Sequence, residues 1–67
     1  MSNDVIKKLT ELYKVMDEFI DLIGLEYDGD EDIYYVRQNS GFDGDDDHDF
    51  LSSLDSVYAD IQYYIAS

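Results

Sequence analysis

Residues 5–23, VIKKLTELYKVMDEFIDLI, decide the fold of this chain. Apolar residues recur here at alternating steps of four and three, the period of one helix face; they are Val5, Leu9, Leu12, Met16, Phe19 and Ile23. Ser2 or Asn3 is placed to cap the helix start. Gly24 suits the left-handed position that ends a helix. We predict a first amphipathic helix over residues 3–23.

The last third of the chain repeats this pattern. Its apolar residues again step four, three, four and three; they are Phe50, Leu54, Val57, Ile61 and Tyr64. Asp47 or Asp49 is expected to be the N-cap, because an aspartate there accepts backbone N–H bonds and favours the helix dipole. A second amphipathic helix over residues 48–66 follows, and the fold class is mainly α.

The segment between the helices is less well determined. Residues 33–37, IYYVR, are β-prone, and the turn-forming residues 38–41 follow them. The segment is either a short β-hairpin or an extended acidic loop. Two helices alone cannot cover such wide apolar stripes. Either this segment covers them, or two copies pair as a homodimer with four helices.

Length and composition predict one small acidic domain over residues 1–67. The chain has no cysteine to brace it, but it is 45% hydrophobic and 15% aromatic, which favours a folded chain over a disordered one. Acidic residues interrupt every apolar run near the N-terminus. We therefore expect neither a signal peptide nor a membrane span, and a cytoplasmic location.

Negative charge is the dominant property of the sequence. Seventeen Asp and Glu stand against four Lys and Arg, a net charge of −13. Residues 26–49 hold ten of these acids against Arg37 alone, a net −9. Such a chain repels nucleic acid and anionic membranes and attracts basic surfaces. Direct binding to nucleic acid or to a membrane is therefore not expected.

The stretch FDGDDDHDF, residues 42–50, raises the question of a calcium site. An EF-hand loop starting at Asp43 needs glycine at its sixth position and glutamate at its twelfth. His48 and Leu54 occupy those positions. With one histidine, no cysteine and no phosphate-binding glycine motif, we predict no metal, no cofactor, no catalytic residue and no enzymatic activity. Weak binding of a divalent cation by the acidic loop is a minor alternative.

Two further features suggest a binding surface. The second half of the first helix carries three acids close together, Asp17, Glu18 and Asp21. Only Lys14 is near enough to offset their negative charge. Tyr34 and Tyr35 lie between the two acidic runs, and tyrosine is enriched at protein interfaces. In a strand, these two neighbours face opposite sides.

In composition the chain resembles the small acidic DNA-mimic inhibitors, often phage-encoded, of the anti-restriction and anti-CRISPR type. Locally, residues 31–35, EDIYY, followed by Asp45–Asp47 and a helix, are similar to the tandem-tyrosine segment of the nuclease-colicin immunity proteins. That similarity implies that Tyr34 and Tyr35 bind a nuclease. It also implies that acids on the preceding helix tune specificity. Unlike that family, this chain has no proline after the tyrosines and is shorter by a helix.

The sequence thus predicts an inhibitor that presents phosphate-like carboxylates to the basic site of a nuclease or other DNA- or RNA-binding protein. The alternative is a self-associating helical interaction or regulatory module whose acidity serves solubility. The candidate partner-binding residues are Asp17, Glu18, Asp21, Asp28, Asp30, Glu31, Asp32, Tyr34, Tyr35, Asp43, Asp45, Asp46, Asp47 and Asp49.

Overall fold

The structure, a computed structural model, describes residues 1–66. Two helices enclose a small antiparallel hairpin, in the order α1 (Asn3–Ile23), β1 (Glu26–Asp28), β2 (Ile33–Tyr35) and α2 (His48–Ala66). The mainly α class and both helices are confirmed. In the part of the chain described, neither helix is long and apolar enough to cross a membrane.

The ends of α1 follow from local sequence. The Ser2 side chain accepts a hydrogen bond from the Val5 N–H at 3.2 Å, which caps the helix start. Gly24 adopts a left-handed conformation, with φ of 64°. Its N–H donates to Asp21 O, and the Leu25 N–H donates to Ile20 O at 3.1 Å. These two bonds form a Schellman motif, so the predicted helix end is confirmed.

The central segment contains a hairpin, and its strands pair in a way the sequence did not predict. β2 pairs with β1, which precedes it, with Tyr27 opposite Tyr34. The connecting turn is residues 29–32, where Asp32 has a positive φ of 55°. After β2 the chain leaves the sheet, because the Arg37 N–H donates to Ile23 O at the end of α1. Residues 38–41 therefore form a turn outside the hairpin.

The helices run antiparallel, and the main core lies at one end of the pair. Tyr13 stacks on Tyr58, whereas Ile23 packs in a cluster with Leu51 and Tyr34. The end of α1, the hairpin and the start of α2 thus meet around Leu51, which is fully buried. Further partly buried side chains pack against this cluster; they are Phe19, Leu25, Val36, Phe42 and Leu54.

The other end of the helix pair is poorly covered. Val5 and Leu12 on α1 and Val57 on α2 remain about half exposed, at 50%, 48% and 47%. The hairpin packs on α2 through Tyr34 and does not reach these residues. The hairpin therefore covers only part of the apolar stripes.

Candidate partner-binding surface

Two acidic loops flank strand β2. The hairpin loop, residues 28–32, begins where Asp28 pairs with Ile33 at one end of the strand. The cap loop, residues 43–49, runs beside the same strand, and Asp43, Gly44 and Asp45 line a surface groove with residues 33–36. The fold therefore brings both acidic runs of the sequence to the same strand.

Hydrogen bonds between aspartate side chains and the backbone brace the cap loop. The Asp43 Oδ1 accepts from the Asp45 N–H at 2.7 Å and from the Asp46 N–H at 3.2 Å. The Asp47 Oδ2 accepts in return from the Asp43 N–H at 2.8 Å. This reciprocal pair resembles a capping box around a helical turn that leads into α2. Asp47 is at the expected N-cap position of α2, because its carbonyl accepts from the Leu51 N–H at 2.9 Å. Its side chain, however, bonds back to the Asp43 N–H, and Asp43 caps the turn before the helix.

Replacing Asp43 with alanine should lower the melting temperature by about 4–8 °C, the usual effect of losing an N-cap in a small domain. The two N–H donors lower the pKa of Asp43 below its ordinary value. Its contribution is thus complete above the unfolded-state pKa and is lost as pH falls through the folded-state pKa. Thermal melts at several pH values should show the difference from wild type shrinking under acid conditions.

The control for this prediction is Asp45→Ala, in the same loop. Within residues 1–66 the Asp45 side chain accepts no hydrogen bond, and it is exposed. Its loss should leave the melting temperature unchanged or raise it by relieving repulsion. Equal destabilisation by both substitutions would contradict the capping role of Asp43.

The hairpin loop is held in a similar way. The Asp28 Oδ1 accepts from the Asp30 N–H at 3.0 Å and from the Glu31 N–H at 3.3 Å. The Tyr27 hydroxyl donates to Asp32 Oδ1, and this bond is the main cause of a raised pKa of Tyr27. The carboxylate of Asp28 is thus hydrogen-bonded within the loop itself. Those of Asp30 and Glu31 remain on the surface.

Gly44 sets the distance between the cap loop and β2. A Cβ at this position would overlap the Tyr34 backbone carbonyl, which belongs to a strand and cannot swing away. We expect Gly44→Ala to move the cap loop off the hairpin and to lower stability by about 1–3 kcal/mol, as overpacking does. Urea unfolding monitored by circular dichroism measures this change.

Gly29→Ala is the matched control, since Gly29 also lies among aspartates in an acidic loop. A Cβ there meets only the Tyr27 ring at 3.7 Å, an ordinary contact. The free energy of unfolding should change by no more than about 0.5 kcal/mol. If the Gly44→Ala protein is as stable as the Gly29→Ala protein, the close approach of residue 44 to the Tyr34 carbonyl does not contribute to stability.

The two adjacent tyrosines face opposite sides, as the strand period requires. Tyr34 is only 8% exposed; its ring lies 5.4 Å from the His48 ring, and its hydroxyl donates to Asp55. Tyr35 is 48% exposed. We therefore remove Tyr34 from the candidate surface, because its area is already buried in the core, and keep Tyr35.

The acids of α1 form a separate patch. Asp17 and Asp21 line a groove with Glu26 and Arg37, at the end of the hairpin away from the hairpin loop. Glu18 is exposed on the same helix. Glu26 was not among the predicted site residues; the alternation of acids in Glu26-Tyr27-Asp28 was the available signal.

Asp17 also has a structural role. The Tyr58 hydroxyl donates to Asp17 Oδ1 at 2.6 Å, and the Tyr13 and Tyr58 oxygens lie 3.0 Å apart. A hydroxyl has one proton, so Tyr13 donates to Tyr58 while Tyr58 donates to Asp17. The bond to Asp17 is the main cause of a raised pKa of Tyr58. Asp17 therefore joins the two helices, and one of its carboxylate oxygens is already occupied by the Tyr58 hydroxyl.

Few of the carboxylates in residues 1–66 are paired with a cation. Across residues 1–66 the ion pairs are Lys8–Glu11 at 3.2 Å and His48–Asp49 at 3.9 Å, both on the surface. Ion pairs exposed on the surface contribute little to the stability of a folded protein. Within the described residues, Asp49 is thus the one carboxylate of the two acidic loops that has a cationic partner.

The arrangement defines a small helical protein with an acidic surface beside its hairpin. Within residues 1–66, no three His, Asp or Glu side chains converge as a metal site requires. No family model, curated protein or solved structure matches the chain. The function is therefore inferred from the chemistry of this surface.

Proposed function

We propose that the protein is an inhibitor that acts as a nucleic-acid mimic. It presents carboxylates in place of phosphates to the basic site of a nuclease or other DNA- or RNA-binding protein. The observation that carries this proposal is the pair of acidic loops beside β2. Hydrogen bonds from aspartate side chains to the backbone brace both loops, and of their carboxylates within residues 1–66 only Asp49 has a cationic partner, His48. The protein contacts neither nucleic acid nor membrane and catalyses no reaction.

Rigidity is what favours a mimic over a solvated loop. A duplex carries one charge per about 1.7 Å of axis, so a competitor must place many carboxylates without losing much entropy on binding. Three carboxylates brace the loops by accepting backbone N–H bonds; they belong to Asp28, Asp43 and Asp47.

The candidate residues thus divide into two roles. Asp28, Asp43 and Asp47 position the loops. The proposed contacts with the partner are made by Asp30, Glu31, Asp32, Tyr35, Asp45, Asp46 and Asp49, with Glu18 and Asp21 extending the surface. We place the activity in the cytoplasm, that of the host cell if a phage encodes the chain.

Salt dependence tests the proposal. The immobilised chain is exposed to a nuclease-treated bacterial lysate, and bound proteins are eluted in steps of rising salt. We expect nucleic-acid-binding proteins to elute, because charge-steered complexes weaken as ions screen them. Partners that remain bound at several hundred millimolar salt would refute an electrostatic mimic.

A second candidate function is the helical interaction module, with acidity serving solubility. The half-exposed apolar residues of both helices favour it. The two functions differ in which substitutions matter. Neutralising the acidic loops abolishes mimicry and leaves a helix-mediated interaction intact.

A further inference from the structure

The uncovered apolar residues form one face. Val5 and Leu12 on α1 are seven residues apart, as are Phe50, Val57 and Tyr64 on α2. Phe19, one heptad after Leu12, contacts Phe42 at 5.9 Å between ring centroids, and Phe42 stacks on Phe50 at 5.5 Å. Both stripes therefore lie on the same side of the helix pair. We call this side the outer face; it comprises Val5, Leu12, Phe50, Val57 and Tyr64.

The chain exposes more surface than its mass requires. Its accessible area is 5133 Å², whereas a compact monomer of 7.8 kDa exposes about 4,400 Å². Its radius of gyration is 13.4 Å, against about 11 Å for a compact chain of this length. The excess of roughly 700 Å² is close to the ~800 Å² that each partner buries in a standard interface.

Charge is distributed so that part of this face is nearly neutral. Residues 17–52 carry thirteen acids and Arg37, a net −12. The remaining residues carry four acids and three lysines, a net −1. The outer half of the helix pair, residues 3–16 and 53–66, is therefore both apolar and close to neutral. A basic partner would find little net negative charge there, and a second copy would meet little net repulsion.

We infer that two copies pair through the outer face into an antiparallel four-helix dimer. The outer halves overlap, so that Val5 of each copy lies near Leu12 of the other. Heptad-spaced apolar stripes on neighbouring helices are the packing surface of such bundles. The acidic ends then lie at opposite poles, where their mutual repulsion is smallest. This pairing holds whether or not the acidic surface is an inhibitor.

Sedimentation equilibrium of the intact chain tests the pairing. We expect the mass of two chains at micromolar concentration, and a Leu12→Glu, Val57→Glu variant that sediments as one chain. Ile6→Glu is the control, since Ile6 is apolar and 38% exposed but lies on another side of α1. A single-chain or higher mass for the wild type, or a dimer that survives the double substitution, would overturn the inference.

Cross-linking tests the orientation, because the chain has no native cysteine. Under mild oxidation, a mixture of Val5→Cys and Leu12→Cys proteins should form more disulfide-linked dimer than either protein alone. Preferential linking of Val5→Cys to itself would instead show a parallel pair. If the outer face binds a different protein, the purified chain stays monomeric, which again contradicts the proposal. Neither outcome bears on mimicry, because these residues lie outside the acidic loops.

Discussion

Leu51→Ala is expected to leave the protein largely unfolded at 25 °C. Leu51 is the one large side chain that is fully buried in residues 1–66, at the junction of α1, the hairpin and α2. Truncating a buried leucine costs about 2.7–5 kcal/mol. A chain of this length rarely has more than about 3–5 kcal/mol to lose. Far-ultraviolet circular dichroism and urea titration would show a weakened or absent cooperative transition.

The same substitution at Leu22 is the control. Leu22 lies on α1 and is 71% exposed, so its truncation removes few contacts. The free energy of unfolding of the Leu22→Ala protein should differ from that of the wild type by no more than about 0.5 kcal/mol. A Leu51→Ala protein that unfolds like the Leu22→Ala protein would mean that the core is not where the structure places it.

The second large effect is on binding. A protein with Asp30→Asn, Asp45→Asn and Asp46→Asn together should lose roughly a hundredfold in affinity for its partner, about 3 kcal/mol. These three carboxylates accept no hydrogen bond within the residues described, so the loops should keep their conformation. Stability should hold or rise, because repulsion within the acidic surface falls. Titration calorimetry against a captured partner measures the affinity.

The matched control removes the same number of charges elsewhere. Asp4→Asn, Glu11→Gln and Asp60→Asn all lie in the outer half, away from the acidic loops. Affinity should fall by less than about tenfold, since only long-range attraction is reduced at ordinary ionic strength. Equal losses in the two triple variants would mean that net charge alone, and not the acidic surface, governs binding.

The helices could be predicted because their information is local. Ser2, Gly24 and the three-four spacing of apolar residues act within a few turns, and both helix ranges were confirmed. Strand pairing depends instead on contacts between residues that are not close in sequence. β1 contains Glu26 and Asp28, which are poor strand formers, yet it pairs with β2, whose Tyr34 packs into the core. No local pattern contained that information.

The candidate surface was predicted in part. The acidic runs were visible in the sequence, but their meeting at β2 depends on the tight approach of Gly44 to Tyr34. The strand period implied that one of Tyr34 and Tyr35 faces inward without saying which. The helical turn before α2 depends on the mutual bonds of Asp43 and Asp47, and several neighbouring aspartates were equally suited to cap it.

Competition with DNA tests the central claim most directly. A captured partner is saturated with a fluorescent duplex of about 20 base pairs, and the protein is titrated in while anisotropy is followed. Mutually exclusive binding predicts complete displacement of the duplex by the wild type. It also predicts a midpoint about a hundredfold higher for the Asp30, Asp45 and Asp46 triple variant. A ternary complex in which the partner keeps its DNA would contradict the account.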